Sequence, residues 1–77
     1  MNLYDTLENL RKSHNLDENA VLVITCTDGK VIRGNLDCYI SAQDNDPEIA
    51  QVDIFDLEKQ WLVGILETEI ESITYAG

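Results

Sequence analysis

A β-hairpin signal at Asp28-Gly29 is the feature that most constrains this chain. Residues 20–27, AVLVITCT, are apolar and β-branched, which is typical of a buried strand. The Asp-Gly pair favours a two-residue type I′ turn, because that turn needs positive φ at both central positions. Residues 31–40 then alternate between apolar and polar side chains with the period of a strand. The sequence therefore predicts two antiparallel strands joined by a tight turn.

Gly34 lies in the middle of the second predicted strand. A glycine there costs stability, so it indicates either sharp bending or the close approach of another backbone. Sharp bending would let a short sheet curl into a barrel. The alternation predicts one face with Ile32, Gly34, Leu36, Cys38 and Ile40, and an opposite face with Val31, Arg33, Asn35, Asp37 and Tyr39.

Amphipathic spacing predicts a helix over residues 2–13, with Leu3, Leu7 and Leu10 on one stripe and Asn2 as N-cap. The polar stretch 41–48, SAQDNDPE, reads as a loop, since Pro47 interrupts strand pairing. Period-two segments follow, and each is bounded by turn residues. We predict a third strand at 49–55, a turn at 56–60, a fourth strand at 61–67 and a short fifth strand at 69–75.

These elements predict one domain over residues 1–77, mainly β in class. A helix at 2–13 would be followed by a strongly bent, five-stranded antiparallel barrel at 20–75. A chain of 77 residues is near the lower limit for a self-supporting core. Chains of this size often gain stability by association with further copies.

The formal net charge of −10 is the strongest compositional signal. Nucleic-acid binding normally depends on clustered lysines and arginines that neutralise phosphates. Here the charge indicates an acidic surface that aids solubility, or one that attracts a basic partner or imitates nucleic acid. The five cations are scattered: Arg11, Lys12, Lys30, Arg33 and Lys59.

Cys26 and Cys38 are too few for a disulfide framework. With a two-residue turn, Cys38 would lie about 23 Å from Cys26 at about 3.3 Å per residue. A disulfide needs Cα atoms within about 7 Å, so we predict two small core residues instead.

Nothing in the sequence predicts membrane insertion or export. No apolar run approaches the roughly 18 residues of a membrane span. The segment MNLYDTLENLRK lacks the apolar region of a signal peptide. We therefore expect a cytoplasmic protein.

The organisation resembles the Sm/LSm family, whose members carry an N-terminal helix on a strongly bent, five-stranded barrel that is also described as SH3-like. Gly29 and Gly34 have the glycine spacing of the first Sm motif, and Leu36 and Tyr39 fall at its apolar and aromatic positions. Residues 65–73, ILETEIESI, fit the apolar part of the second motif. Residues 28–56 also resemble short acidic Sm-like proteins of bacteria and their phages.

The resemblance implies where RNA would bind, and this chain departs from the pattern there. In RNA-binding members, an aromatic residue and an Asp of the first motif, with an Asn, grip a base, and the Arg of the second motif completes the site. Here the Asp position is Ile40, and the Arg-Gly positions are Leu66 and Glu67. A stacked base without a neighbouring cation loses the cation–π and phosphate contacts. The additional carboxylates at Glu67, Glu69 and Glu71 would repel phosphate.

The loop 41–48 is the best candidate for a ligand or partner site, since it places dense polar groups at the mouth of the predicted barrel. Internal Asx hydrogen bonds are the alternative explanation. The carboxylate spacing resembles a divalent-cation loop but lacks the glycine and late Glu of the Ca²⁺ loop, so we predict no metal and no cofactor. The candidate residues are Tyr39, Ser41, Gln43, Asp44, Asn45, Asp46 and Glu48.

Trp61 and Phe55 flank the predicted turn at 56–60, either as core residues or as anchors of a protein contact. Sm-like subunits form rings in which the fourth strand of one pairs with the fifth of the next, and the apolar segment WLVGIL suits such an edge. His14 is alone, and no catalytic constellation is present, so we predict no enzyme. The predicted interface residues are Trp61, Leu62, Val63, Ile65 and Ile73.

Three hypotheses follow. The first is a non-catalytic, homo-oligomeric Sm-like module whose acidic surface binds a protein. The resemblance implies that such a module can antagonise a nucleic-acid-handling protein by occupying its basic site. The second is an RNA-binding Sm-like ring that uses Tyr39, Asp44 and Asn45. The third is a phage-type ring that sequesters a small nucleotide ligand between subunits.

Overall fold

One helix and five strands form in the order that the sequence predicts. The computed structural model describes every residue from Met1 to Gly77. All neighbouring strands are antiparallel and lie in the order β4-β3-β2-β1-β5, which confirms the predicted fold class. The elements are α1 (Leu3–Ser13), β1 (Val21–Cys26), β2 (Val31–Ile40), β3 (Gln51–Asp56), β4 (Trp61–Leu66) and β5 (Ile70–Tyr75).

Helix α1 begins as its capping residue predicts. The Asn2 side-chain oxygen accepts a hydrogen bond from the Asp5 backbone N–H at 3.0 Å, which satisfies a free donor of the first turn. Leu3 and Leu7 are buried, so the apolar stripe packs on the sheet. Neither this helix nor any shorter helical turn has the length and hydropathy that crossing a membrane requires.

A single core fills the space between the helix and the sheet. It contains 12 buried apolar residues, contributed by α1, by all five strands and by the residue preceding β3. Since even the edge strands β4 and β5 contribute, the sheet must curve around this core. The members are Leu3, Leu7, Leu22, Ile24, Cys26, Ile32, Ala50, Val52, Ile54, Ile65, Ile70 and Ile73.

The curved sheet is not closed into a complete barrel. Strands β4 and β5 form its two edges and do not pair with each other. The connection between them bridges the sheet instead. The Glu67 N–H donates to the Ala50 carbonyl at 2.8 Å, and the Thr27 N–H donates to the Glu69 carbonyl at 2.9 Å. These two hydrogen bonds extend the β3–β4 and β1–β5 pairings to the ends of the connection, and both edge strands keep one free side.

Gly34 marks a close approach between backbones, as its mid-strand position predicts. A Cβ atom at this position would lie 2.2 Å from the Phe55 carbonyl oxygen and 2.4 Å from the Ile54 Cγ2 atom. Here β2 changes partners, since Val31 to Asn35 pair with β1 and Gly34 to Ile40 pair with β3. The glycine thus lets β3 pack tightly against β2 at the position where β2 pairs with both β1 and β3.

The prediction of a two-residue type I′ turn in the hairpin was wrong. Thr25 pairs with Val31, and the Cys26 N–H donates to the Lys30 carbonyl at 2.8 Å, so three residues form the loop. Within this loop, Gly29 is the one residue with positive φ, at 90°. The Asp28 carboxylate accepts from the Lys30 N–H at 2.9 Å, which stabilises Asp28 without a left-handed conformation.

A bulge at Asp37 overturns part of the predicted alternation in β2. Leu36 pairs with Ile54 and Cys38 pairs with Asp53, so β2 carries one extra residue. Beyond the bulge the faces exchange. Cys38 is exposed rather than in the core, and Tyr39 packs against the core rather than lying on the outer face.

We expect Gly34→Ala to lower the free energy of unfolding by about 1–3 kcal/mol, the usual cost of overpacking a tight contact. The added methyl group would meet the Phe55 carbonyl, which cannot move without disturbing the β2–β3 pairing. Urea denaturation followed by circular dichroism measures the change. Ser72→Ala is the control, because it changes an exposed residue of β5 whose side chain forms no hydrogen bond. Equal stability of the two variants would contradict the role assigned to Gly34.

Candidate functional site

The loop 41–48 connects the end of β2 to β3, and part of it stabilises itself. The Ser41 hydroxyl donates to the Asp44 carboxylate at 3.0 Å, across a short 3-10 turn at Ala42–Asp44. The Asp44 N–H also donates to the Ser41 carbonyl at 3.1 Å. Two of the predicted site residues therefore shape the loop, as the Asx alternative proposed.

Asn45 starts a chain of side-chain hydrogen bonds that the sequence did not predict. Its amide donates to the Ile49 carbonyl at 2.9 Å and to the Gln51 side-chain oxygen at 3.1 Å. The Gln51 amide in turn donates to the Asp53 carboxylate at 2.7 Å. The chain ties the loop to the outer face of β3. In the sequence, Gln51 and Asp53 are polar residues at alternate positions of a strand, which predicts only that both lie on its exposed face.

Gln43, Asp46 and Glu48 are exposed, and their side chains form no hydrogen bond within the protein. Their polar groups are thus available to a partner at no structural cost. No group of three or more Asp, Glu, His or Cys side chains is placed to hold a metal ion. The free groups of this loop therefore offer a polar surface with two carboxylates.

Tyr39 lies apart from these free groups, at the junction of sheet and helix. It is half-buried and packs against the core, and its ring meets the Tyr4 ring edge to face at 5.7 Å between centroids. A base could stack on Tyr39 only if the helix left room for it. Tyr39 therefore packs against the helix and the core, whereas the free groups of the loop are exposed to solvent.

The predicted interface residues divide into two groups. Trp61 and Leu62 are 58% and 53% exposed, so of the two alternatives predicted for Trp61 the core role was wrong. Val63 is half-buried, whereas Ile65 and Ile73 lie within the core. The side chains of the last two are occupied inside their own subunit, and only their backbone belongs to a free edge.

Glu67 occupies the glycine position of the Sm pattern, and here it has a structural partner. Its Oε2 atom accepts a hydrogen bond from the Leu3 N–H at 2.8 Å, at the first turn of α1. A carboxylate there also interacts favourably with the positive end of the helix dipole. The Glu69 carboxylate accepts from the Leu66 N–H at 3.0 Å. Two of the three glutamates expected to repel phosphate are thus hydrogen-bonded to backbone donors.

Most of the negative charge has no internal counter-charge. Arg11 and Glu8 form the only salt bridge. The other fourteen of the fifteen acidic residues are therefore not in ion pairs. Such a surface attracts cationic groups and repels phosphates over a distance set by the ionic strength.

The two cysteines are free and differ in environment. Burial raises the pKa of the Cys26 thiol, and the carboxylates of Asp28 and Glu69 raise it further. A raised pKa reduces the thiolate fraction at neutral pH, which makes Cys26 a poor nucleophile. Cys26 therefore serves as a core residue, as predicted.

Comparison with protein-family models, curated proteins and solved structures found no match to this chain. The Sm-like assignment thus rests on the sequence resemblance and stays a prediction.

We expect Glu67→Gln to lower the free energy of unfolding by about 1 kcal/mol, because a neutral amide interacts less strongly with the helix N-terminus. Thermal unfolding followed by circular dichroism measures this. Glu71→Gln is the matched control, since it also removes one negative charge but from an exposed side chain without a hydrogen bond. A loss of the same size in both variants would show that Glu67 has no special role in holding α1.

Proposed function

We propose that this protein is a non-catalytic, Sm-like module that assembles through the edges of its sheet and binds a basic protein partner with its acidic surface. The observation that carries the proposal is the uncompensated charge. Only one acidic residue is in a salt bridge, in a chain with a net charge of −10. A surface of this kind favours cationic partners and disfavours nucleic acid.

The positions that grip RNA in the Sm pattern support a changed use of the fold. Leu66 stands where the phosphate-binding cation is expected, and the neighbouring Glu67 is engaged with the helix N-terminus. Replacing Glu67 to restore RNA binding would thus also disturb α1. The Glu67 carboxylate therefore supports a use of the fold that does not depend on phosphate contacts.

The chemistry of the partner follows from the charge. A protein that handles nucleic acid presents clustered lysines and arginines, and an acidic module can compete with nucleic acid for that site. The exposed carboxylates of Asp46 and Glu48 are free to form ion pairs with such a site. The module would then act as an antagonist of its partner.

Assembly is supported by the two free edges. Antiparallel pairing of Val63 on β4 with Ile73 on β5 of another copy would place Trp61 opposite Tyr75, so that the core-facing sides of both strands match. An exposed apolar edge strand invites such pairing. Repulsion between copies of charge −10 opposes it, so added salt should strengthen assembly.

We expect the protein to form a multimer that Leu62→Lys weakens, because a lysine on an edge strand disfavours pairing. Size-exclusion chromatography with light scattering gives the mass at low and high salt. Cys38→Lys is the matched control, since Cys38 is also exposed but lies on β2, in the middle of the sheet, and it makes the same change in charge. A wild-type protein that stays monomeric at all salt concentrations would contradict edge assembly.

We expect affinity capture from a lysate to return a basic, nucleic-acid-handling protein whose binding weakens as salt increases. Combined Asp46→Asn and Glu48→Gln substitutions should reduce capture, because they remove two free carboxylates without breaking a hydrogen bond. Combined Glu18→Gln and Glu71→Gln substitutions remove the same charge elsewhere and should reduce it less.

Fluorescence anisotropy with short U-rich and A-rich RNAs at about 50 mM salt tests the alternative, since low salt favours any phosphate contact. We expect no RNA binding. Micromolar RNA binding that Tyr39→Ala abolishes would replace the protein-binding proposal with the RNA-binding one.

A further inference from the structure

A groove of about 340 Å³ lies at the opposite end of β2 from the loop 41–48. Lys30, at the end of the β1–β2 loop, lines it together with Glu58 and Lys59 of the β3–β4 turn. The Leu57 N–H donates to the Arg33 carbonyl at 3.0 Å and fixes that turn to β2. This volume is at the lower end of the range for small-molecule sites. The lining residues are Lys30, Val31, Ile32, Asp56, Glu58, Lys59, Trp61 and Val63.

The apolar part of the groove is unusually open to solvent. Val31 is 55% exposed and Trp61 is 58% exposed, which makes them the two most exposed large apolar residues of the five strands. Ile32 is buried and Val63 half-buried, so they form a fixed floor beneath. An indole in this position presents a flat surface on which a planar ring can stack.

The charges around the groove differ from those of the rest of the surface. Lys30 and Lys59 both line it, Arg33 lines the adjoining groove, and none of the three is in a salt bridge. The Lys59 ammonium lies 5.7 Å from the centre of the Trp61 ring. Two of the five cations thus line the groove with Trp61, and a third lies in the adjoining groove at the same end of the protein.

The lining carries two carboxylates against its two ammonium groups, and Asp28 lies beside Lys30, so the groove is close to neutral rather than acidic. Asp56 is buried, and its Oδ1 atom accepts from the N–H groups of Glu58 and Lys59 at 2.9 and 3.1 Å. Its role is to hold the turn, and those donors stabilise its charge. Glu58 is exposed at the rim and can turn toward solvent. The ammonium groups are therefore free to bind an anion.

We propose that this groove binds a free nucleoside phosphate, with its base stacked on Trp61 and its phosphate bound by Lys30 and Lys59. A planar aromatic ring and an adjacent anion are the two features that this set of side chains can recognise together. The lysines disfavour a basic peptide, and the compact lining is too short for an extended acidic one. All the lining residues belong to one chain, so the groove is complete in a monomer. Because the edge pairing proposed above would bring Tyr75 of another copy to Trp61, the binding tests use low salt, where assembly is weakest.

Trp61 is the only tryptophan of the chain, so its fluorescence reports directly on the groove. Titration of the full chain with AMP and ATP should give saturable quenching. Adenosine lacks the phosphate and inorganic phosphate lacks the base, so each should bind at least about tenfold more weakly, which is the worth of one charged contact. Equal binding of adenosine and AMP, or no saturable quenching by either nucleotide, would overturn the proposal.

Lys30→Gln and Lys59→Gln should each weaken AMP binding about tenfold, while Lys12→Gln, which removes a cation from the exposed end of α1, should change it less than about twofold. Circular dichroism confirms that the variants fold. Quenching by a 5′-phosphorylated oligonucleotide but not by AMP would exclude a free nucleotide as the ligand. AMP quenching that disappears as the protein concentration is lowered would show that the site needs a second copy, and would overturn the proposal of a groove within one chain.

Discussion

The contact between Gly34 and the Phe55 carbonyl is the constraint on which the rest of the structure depends. It lets β2, with its 10 residues, pair with β1 along one part and with β3 along the other. The resulting curvature brings Ile24 of β1 and Ile54 of β3 into the same core. The helix and both edge strands pack on that core, so their positions follow from how closely β2 and β3 approach each other.

The acidic residues fall into two populations with different consequences. Asp44, Asp56, Glu67 and Glu69 accept hydrogen bonds from side-chain or backbone donors and thereby shape turns and the start of α1. Exposed carboxylates without such partners, like those of Asp46 and Glu48, give the surface its uncompensated charge. The excess of acid thus supports the fold and sets the kind of partner that the surface attracts.

The two ends of β2 carry opposite chemistry. The polar loop 41–48 follows its last residue, while Lys30 precedes its first and lies beside Trp61 in the groove. A basic protein at one end and a small anion at the other could bind without competing for the same side chains. This separation follows from the antiparallel connections, which place successive loops at alternate ends of the sheet.

Periodicity by itself determined the helix, the five strands and most of the core, including Ala50, Val52 and Ile54, because burial in a strand alternates with every residue. It could not determine the three-residue hairpin loop or the bulge at Asp37, which depend on how two strands pair. The polar loop was visible in the sequence. The hydrogen bond that the Leu3 N–H donates to the Glu67 carboxylate was not, because the two residues are 64 positions apart. Only the tertiary structure decided such contacts, because curvature of the sheet brings together side chains whose separation along the chain carries no local signal.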